Sequence, residues 1–214
     1  MNELTWVYLV RHGETDWNLL KRWQGQGITP LNPTGRRQAA RVAARLAGDA
    51  LSALYSSDSL RAWQTAEAIA AATGLPLRPD PRLRELDVGL WQGYATHEIE
   101  WLDSERYATR QADWLTTPCP EGESVSQLIA RVGQAFDDIT AAHPGERVAV
   151  VTHGGPIGAI RYLVNGCAST DLLNPWFYNT SVTLLRGRPG AWEIVLENDA
   201  AHLNHGGHYG QADR

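Results

Sequence analysis

The chain has 214 residues, 43% hydrophobic and 20% charged, the composition of an ordinary globular protein long enough to bury a sizeable core. Its net charge of -5 argues against a general nucleic-acid binder or a membrane-surface protein, since both need a basic face, but it leaves room for a small basic pocket. No apolar run reaches the length of a membrane span, and no leader signature is read at the N-terminus. Cys119 and Cys167 lack metal-ligand spacing. Reduced thiols in a cytoplasmic protein are the plain expectation, with a single disulfide left open.

Residues 6–10 (Trp-Val-Tyr-Leu-Val) read as a strand covered on both faces, stopping at Arg11-His12-Gly13-Glu14-Thr15. A glycine-rich loop follows around Trp23, Gln24 and Gly25. Asn32-Pro33 opens a helix with an N-cap side chain and a proline in the first turn. It runs through Arg36 to about Ala47, with Ala40, Ala43, Ala44 and Ala47 expected inside and Arg37, Arg41 and Arg45 as a solvated outer stripe. Residues 53–57 form a second strand, and Asp58 or Ser59 caps a helix through Ala62, Ala66, Ile69 and Ala70 that ends at Gly74. A third short strand near Leu77 leads to Arg82-Leu83-Arg84-Glu85.

Residues 94–118 are a polar cover segment, helical between His97 and Leu115. Ser124 and Gln127 match a capping box, opening an amphipathic helix through Leu128, Ile129, Val132, Phe136 and Ile139. Residues 147–152 are the clearest buried strand, ending on His153-Gly154-Gly155-Pro156 and another helix to Gly166. Residues 181–186 and 192–196 suit a hairpin, and residues 202–214 a loose tail. His202, His205 and His208 recur every third residue there, but no metal site is expected from them. Strands alternating with helices predict one domain over residues 1–214, a three-layer α/β/α sandwich on a mostly parallel sheet.

Three strand ends carry the unusual residues: Arg11 and His12, Ser57 running into Arg61, and His153. Parallel strands bring such ends to one edge, where α/β proteins bind ligands. Arginine forks and helix N-termini there suit a phosphate. A neutral His12 would attack phosphorus and carry the phosphoryl group, its other ring nitrogen donating to a carbonyl. Glu85 is the carboxyl expected to protonate the leaving alkoxide and later to activate water. No metal and no other cofactor is called for, because the cations neutralise the phosphate.

At these residues the chain resembles the histidine phosphatase superfamily, in its phosphoglycerate mutase-like branch. The ordered matches are residues 11–15 with Asn18, residues 30–36, residues 56–62 with 64–66, residues 83–85, residues 122–124, residues 151–155 and residues 179–182. The resemblance covers nearly the whole chain. It implies a phosphohistidine at His12, Glu85 as proton donor, and a phosphate pocket of Arg11, Arg61 and His153. Thr15, Asn18, Gln24, Gly25 and Gly154 are the implied substrate-side residues. Arg82 and Arg84 read as surface arginines.

Glycolytic mutases of the family follow the acid with Arg-His-Tyr-Gly, whereas this chain has Glu85-Leu86-Asp87-Val88-Gly89. The resemblance is therefore to the phosphatase branch, and the expected partner is a small phosphorylated molecule, with no nucleic acid and no membrane. The reading is a metal-independent phosphomonoesterase. The alternatives are a cofactor-dependent phosphoglycerate mutase, an α-ribazole phosphatase and a non-catalytic phosphate-binding module. A homodimer is left open.

Overall fold

A computed structural model of the chain describes residues 4–166 and 177–203. Strand β1 (Thr5–Arg11) is the apolar run read from the sequence, and it is followed by the single-turn helix α1 (Asp16–Leu19). Helix α2 (Pro33–Leu46), strand β2 (Ala53–Ser56), helix α3 (Leu60–Thr73) and strand β3 (Leu77–Pro79) complete the first half. The cover segment forms helices α4 (Thr96–Leu102) and α5 (Ser104–Ala112). Helix α6 (Val125–Ala142), strand β4 (Arg147–Thr152), helix α7 (Gly154–Val164) and strands β5 (Val182–Arg188) and β6 (Ala191–Asp199) follow.

The strands make one sheet in the order β3-β2-β4-β1-β5-β6. Strands β1 to β4 pair in parallel, while β5 runs antiparallel to β1 and β6 antiparallel to β5. Strands β5 and β6 turn at Pro189-Gly190, where Gly190 takes a positive φ of 79°. This tightens the expected hairpin, because Gly187 and Arg188 belong to the strand rather than the turn.

Alternation along β1 assigns the two faces. Val7 and Leu9 pack with Leu128, Val132 and Phe136 of α6 and Ile157 and Ile160 of α7. Tyr8 and Val10 pack with Val42 and Leu46 of α2 and Ala62, Ala66 and Ile69 of α3. Both faces of the sheet are covered, as a continuous apolar strand requires. Each large side chain fully buried in this way contributes roughly 1.5–3 kcal/mol. The three-layer α/β/α sandwich expected from the sequence is the observed architecture.

Helix α2 corrects two expectations. Ala40, Ala44 and Ala47 are exposed, and the inner face is Gln38, Ala39, Val42, Ala43 and Leu46. The largest apolar side chains, Val42 and Leu46, set the phase of the stripe, and small alanines do not resist either environment. The arginine stripe is also only partly solvated. Arg41 donates to the Leu203 carbonyl at 2.8 Å, and Arg45 pairs with Asp199 at 2.6 Å and meets His202 Nδ1 at 3.2 Å. These arginines hold the chain after β6 against α2. His202 is thus anchored, while His205 and His208 lie outside the described residues.

At the helix starts expected from the sequence, the local chemistry is visible. The Asn32 side chain accepts from Gly35 N at 2.8 Å, and Ser124 and Gln127 close their capping box. Ser59 is the N-cap of α3 without a side-chain cap bond, and Asp58 instead pairs with Arg84. Arg82 pairs with Asp80 and Asp138, so both arginines are partly exposed members of ion pairs. Cys119 is a buried free thiol, and Cys167 lies outside the described residues. Among the described residues no helix is long and apolar enough to cross a membrane.

Candidate active site

The carboxyl ends of β1, β4 and β2 lie side by side, with Arg11 opposite Thr152 and Ser56 opposite Val151. The ladder extends one step past the strands, through His12 N to the Thr152 carbonyl and Ser57 N to the Val151 carbonyl, each 2.9 Å. His12 and Ser57 are therefore held by main-chain bonds before any side-chain contact forms, and His153, the N-cap of α7, accepts from Ile157 N at 3.2 Å. The rings of His12 and His153 end up 5.1 Å apart between centroids.

The turn after His12 is locked from behind. Gly35 at the start of α2 packs so closely that a Cβ there would sit 2.1 Å from the Glu14 carbonyl oxygen. Asn32 Nδ2 donates to Glu14 Oε1 at 2.9 Å, and Glu14 N donates to Gln38 Oε1 at 2.8 Å. Gly13 N donates to Thr65 Oγ1 at 3.0 Å. Glu14 thus fixes the turn.

His12 Nδ1 lies 2.7 Å from the Gly13 carbonyl oxygen. That carbonyl can only accept, so the network assigns the proton to Nδ1 and the lone pair to Nε2. Arg61 Nε donates to that lone pair at 3.3 Å. The rest of the Arg61 guanidinium donates to the carbonyls of Gly25 at 2.7 Å and Gly27 at 3.1 Å and to Thr29 Oγ1 at 3.2 Å. Arg61 is fully buried, tying the glycine-rich loop to the histidine.

Ser57 Oγ accepts from Ser59 N at 3.2 Å and lies 2.9 Å from His153 Nε2. With the hydroxyl donating to Nε2, the His153 proton sits on Nδ1, a buried atom without a hydrogen-bond partner among the described residues. Arg11 donates to the Phe177 carbonyl, and its buried Nε likewise has no partner among the described residues. Both atoms belong to residues at the carboxyl ends of β1 and β4.

Burial, reinforced by Arg61 and Arg11, holds the His12 imidazole well below its ordinary pKa, and burial with Arg61 does the same for His153. Both rings are neutral over the physiological range. Burial also lowers Arg11 and Arg61 to about 10, opposed by the Glu85 carboxylate, so both stay cationic at neutral pH.

Glu85 reaches the site from the loop after β3. Its Oε2 accepts from Gly155 N at 3.2 Å, at the start of α7, and its Oε1 from Leu86 N at 2.8 Å. Behind it stands Arg131 of α6, a residue the sequence reading passed over. Arg131 donates to the carbonyls of Arg82 and Arg84 at 2.7 Å and of Glu85 at 2.9 Å, and pairs with Glu123 at 2.6 Å. The available signal was a cation between Leu128 and Val132 on the inward stripe of α6.

The structure therefore brings Arg11, His12, Arg61, Glu85 and His153 together. Thr15 stands apart. It is fully buried, caps α1 through Asn18, and donates to Gln24 Oε1 at 3.0 Å. Asn18 Oδ1 meets Asn179 Nδ2 at 3.3 Å, and Asn179 Nδ2 also donates to the His12 carbonyl at 3.1 Å. Gln24 and Gly25 line the adjoining cavity, and Gly154 opens α7 beside Glu85. Among the described residues, no group of three His, Cys, Asp or Glu side chains could hold a metal ion.

Residues 7–200 match the family model of the histidine phosphatase superfamily, branch 1. The chain belongs to the histidine phosphatase superfamily. It is 36% identical over 205 residues to the probable phosphoglycerate mutase GpmB of Proteus mirabilis, covering 92% of this chain and 94% of that one. It is 38% identical over 206 residues to a metal-independent phosphoserine phosphatase of Arabidopsis thaliana, covering 95% and 85%. A mycobacterial glucosyl-3-phosphoglycerate phosphatase, solved in complex with VO3, superposes with a TM-score of 0.81 at 31% identity, over 91% of this chain and 99% of that one. As a member of this superfamily of phosphatases and mutases, the chain is an enzyme.

In this histidine phosphatase superfamily member, a cavity of about 580 Å³ opens beside Glu85 and Gly155. The cover segment supplies one wall through Tyr107, Arg110, Gln111 and Trp114, while Trp23, Leu86 and Val88 supply another. Ile99 of the cover packs in a small core with Val88, Trp91 and Cys119 on either side of it in the chain. Trp23 borders the cavity, Trp91 supports it edge-on at 5.9 Å, and Trp17 stands against Gly93. Of Trp17, Trp23 and Trp91, only Trp23 lines the cavity.

Proposed function

We propose that the chain is a metal-independent phosphatase that hydrolyses small-molecule phosphate monoesters through a phosphohistidine at His12. The observation that carries this reading is the 2.7 Å contact of His12 Nδ1 with the Gly13 carbonyl, which directs the Nε2 lone pair toward Arg61. A nucleophile needs that lone pair, and burial beside two arginines keeps it unprotonated.

A bound phosphate takes donors from Arg11, Arg61 and His153, so charge that builds on its oxygens in the transition state meets fixed donors. His12 Nε2 attacks phosphorus, the ester P–O bond breaks, and the leaving oxygen takes the proton of the Glu85 carboxyl. The Glu85 carboxylate then takes a proton from water as that water attacks phospho-His12, releasing inorganic phosphate and restoring both groups. The cavity beside Glu85 accommodates the organic part of the ester.

The test is acid-labile phosphate trapped on the wild type during turnover. It is expected to vanish in His12→Ala, with hydrolysis persisting in the presence of a chelator. Trapping that survives His12→Ala overturns the reading.

Phosphoglycerate mutase activity is the second reading, favoured by the identity to GpmB. Activity on phosphoglycerate that disappears without 2,3-bisphosphoglycerate as primer would establish it in place of hydrolysis.

A further inference from the structure

Gln38, in the second turn of α2, is 3% exposed and shares the inward stripe with Ala39, Val42, Ala43 and Leu46. An amide side chain buried on an apolar stripe is costly unless it is bonded. Its Oε1 accepts from Glu14 N at 2.8 Å. That N–H belongs to the same peptide group as the Gly13 carbonyl, which faces His12 Nδ1 at 2.7 Å. One planar, trans peptide group therefore has Gln38 at its donor end and the His12 imidazole at its acceptor end.

This peptide group needs holding, because glycine at position 13 leaves its rotation little opposed by side-chain sterics. The preceding group is held separately. Gly13 N donates to Thr65 Oγ1 at 3.0 Å, and the His12 carbonyl accepts from Asn179 Nδ2 at 3.1 Å. Half a turn of the Gly13–Glu14 group would point the Glu14 N–H at His12 Nδ1 and turn the carbonyl away. Nδ1 could then only accept, the proton would move to Nε2, and the lone pair there would be lost. Donation to Gln38 opposes that turn, and it also polarises the peptide so that the Gly13 carbonyl accepts more strongly.

We propose that Gln38 is a positioning residue, which acts through the Gly13–Glu14 peptide group to hold the His12 proton on Nδ1 and the lone pair on Nε2. The proposal rests on the phosphatase reading only for what the lone pair attacks. Arg61 Nε, donating to Nε2 at 3.3 Å, favours the same tautomer from the other side. Removing Gln38 therefore weakens the preference without abolishing it.

The test reads the imidazole directly. With histidine nitrogens isotopically labelled, NMR separates a protonated ring nitrogen from a bare one, and the signals missing in His12→Ala are those of His12. The wild type is expected to carry the proton on Nδ1. Gln38→Met, which keeps the bulk and removes the acceptor, should admit a measurable share of the Nε2-H form. Gln38→Glu keeps an acceptor in either protonation state and should restore the Nδ1-H form. On p-nitrophenyl phosphate, kcat/KM should fall by about 5- to 100-fold in Gln38→Met, the range of a buried donor left unpaired, and largely recover in Gln38→Glu. Competitive inhibition by inorganic phosphate should change little, because Arg11, Arg61 and His153 are untouched.

A wild type that shows the Nδ1-H form but turns over no ester sinks only the phosphatase reading, and the tautomer in Gln38→Met still decides the proposal. A wild type with the proton on Nε2, or a Gln38→Met variant as purely Nδ1-H as the wild type, overturns it. So does weakening of phosphate inhibition as large as the loss in kcat/KM, which would mark general loosening. Gln38→Leu is read if the Met variant does not fold, and collapse of both would make Gln38 a folding residue and overturn the proposal as well.

Discussion

Arg61 Nε stands 3.3 Å from His12 Nε2, so the cation that would bind the phosphate rests against the lone pair that would attack it. The same guanidinium closes on the carbonyls of Gly25 and Gly27. One buried side chain therefore shapes the loop and keeps the imidazole neutral, and in the proposed reaction its charge would meet the incoming phosphate. Arg61→Lys preserves charge but loses the fork. Its kcat/KM on any ester should fall by about 100-fold or more, given that charge-assisted paired bonds are roughly twice as strong as neutral ones and several are lost together. Steady-state kinetics with a thermal melt as fold control decide it, and a loss under about threefold would remove Arg61 from the phosphate site.

Glu85→Gln keeps the shape of the side chain and removes its titrating proton. Alkyl phosphates, whose leaving groups need that proton, should lose about 100- to 10,000-fold in kcat. p-Nitrophenyl phosphate, with a stabilised leaving group, should lose far less. Equal losses on the two ester types would show that Glu85 is not the acid.

Gly155 has no room for a methyl group. A Cβ there would lie 2.2 Å from Glu85 Oε1 and 3.2 Å from Leu128, whereas one at Gly154 meets Glu85 Oε2 at an ordinary 4.0 Å. Gly155→Ala should therefore displace the carboxyl and depress kcat well beyond Gly154→Ala, with the sheet and its melting behaviour largely retained. Comparing the two variants in parallel assays checks the claim, and equal activity would contradict it.

Acid should weaken the anchorage of the segment after β6. Burial, aided by Arg45, lowers His202 from an ordinary 6.5 to about 4. Between those values the unfolded chain holds a proton that the folded chain does not. The His202 contribution is thus complete above about 6.5 and is lost as pH falls toward 4. Urea midpoints at about pH 7 and about pH 4.5 should differ less in His202→Asn than in the wild type. An unchanged difference would mean that His202 does not titrate as its surroundings dictate.

Most of the candidate site was legible in the sequence. The apolar run before Arg11-His12, the apolar run before His153 and the polar stop after β2 are each local signals of a strand end. Parallel strands then bring such ends to one edge, so His12, Arg61 and His153 meet although they are far apart in the chain. The phase of α2 was not legible, because alanines pack either way and only contact with the sheet selects Val42 and Leu46. Arg131 was missed for a related reason, since its partners are backbone carbonyls of a loop some fifty positions earlier.

The sequence by itself determined the order of strands and helices, the helix caps and the chemical types at the strand ends, because each depends on neighbours a few residues away. Tertiary structure decided which tautomer His12 adopts, which donors around it are unfilled, and which arginines are ordinary surface groups. It also placed Gln38 against the peptide group that faces His12. Charge, proton position and pocket shape depend on what lies across space, and that is set only when the layers pack.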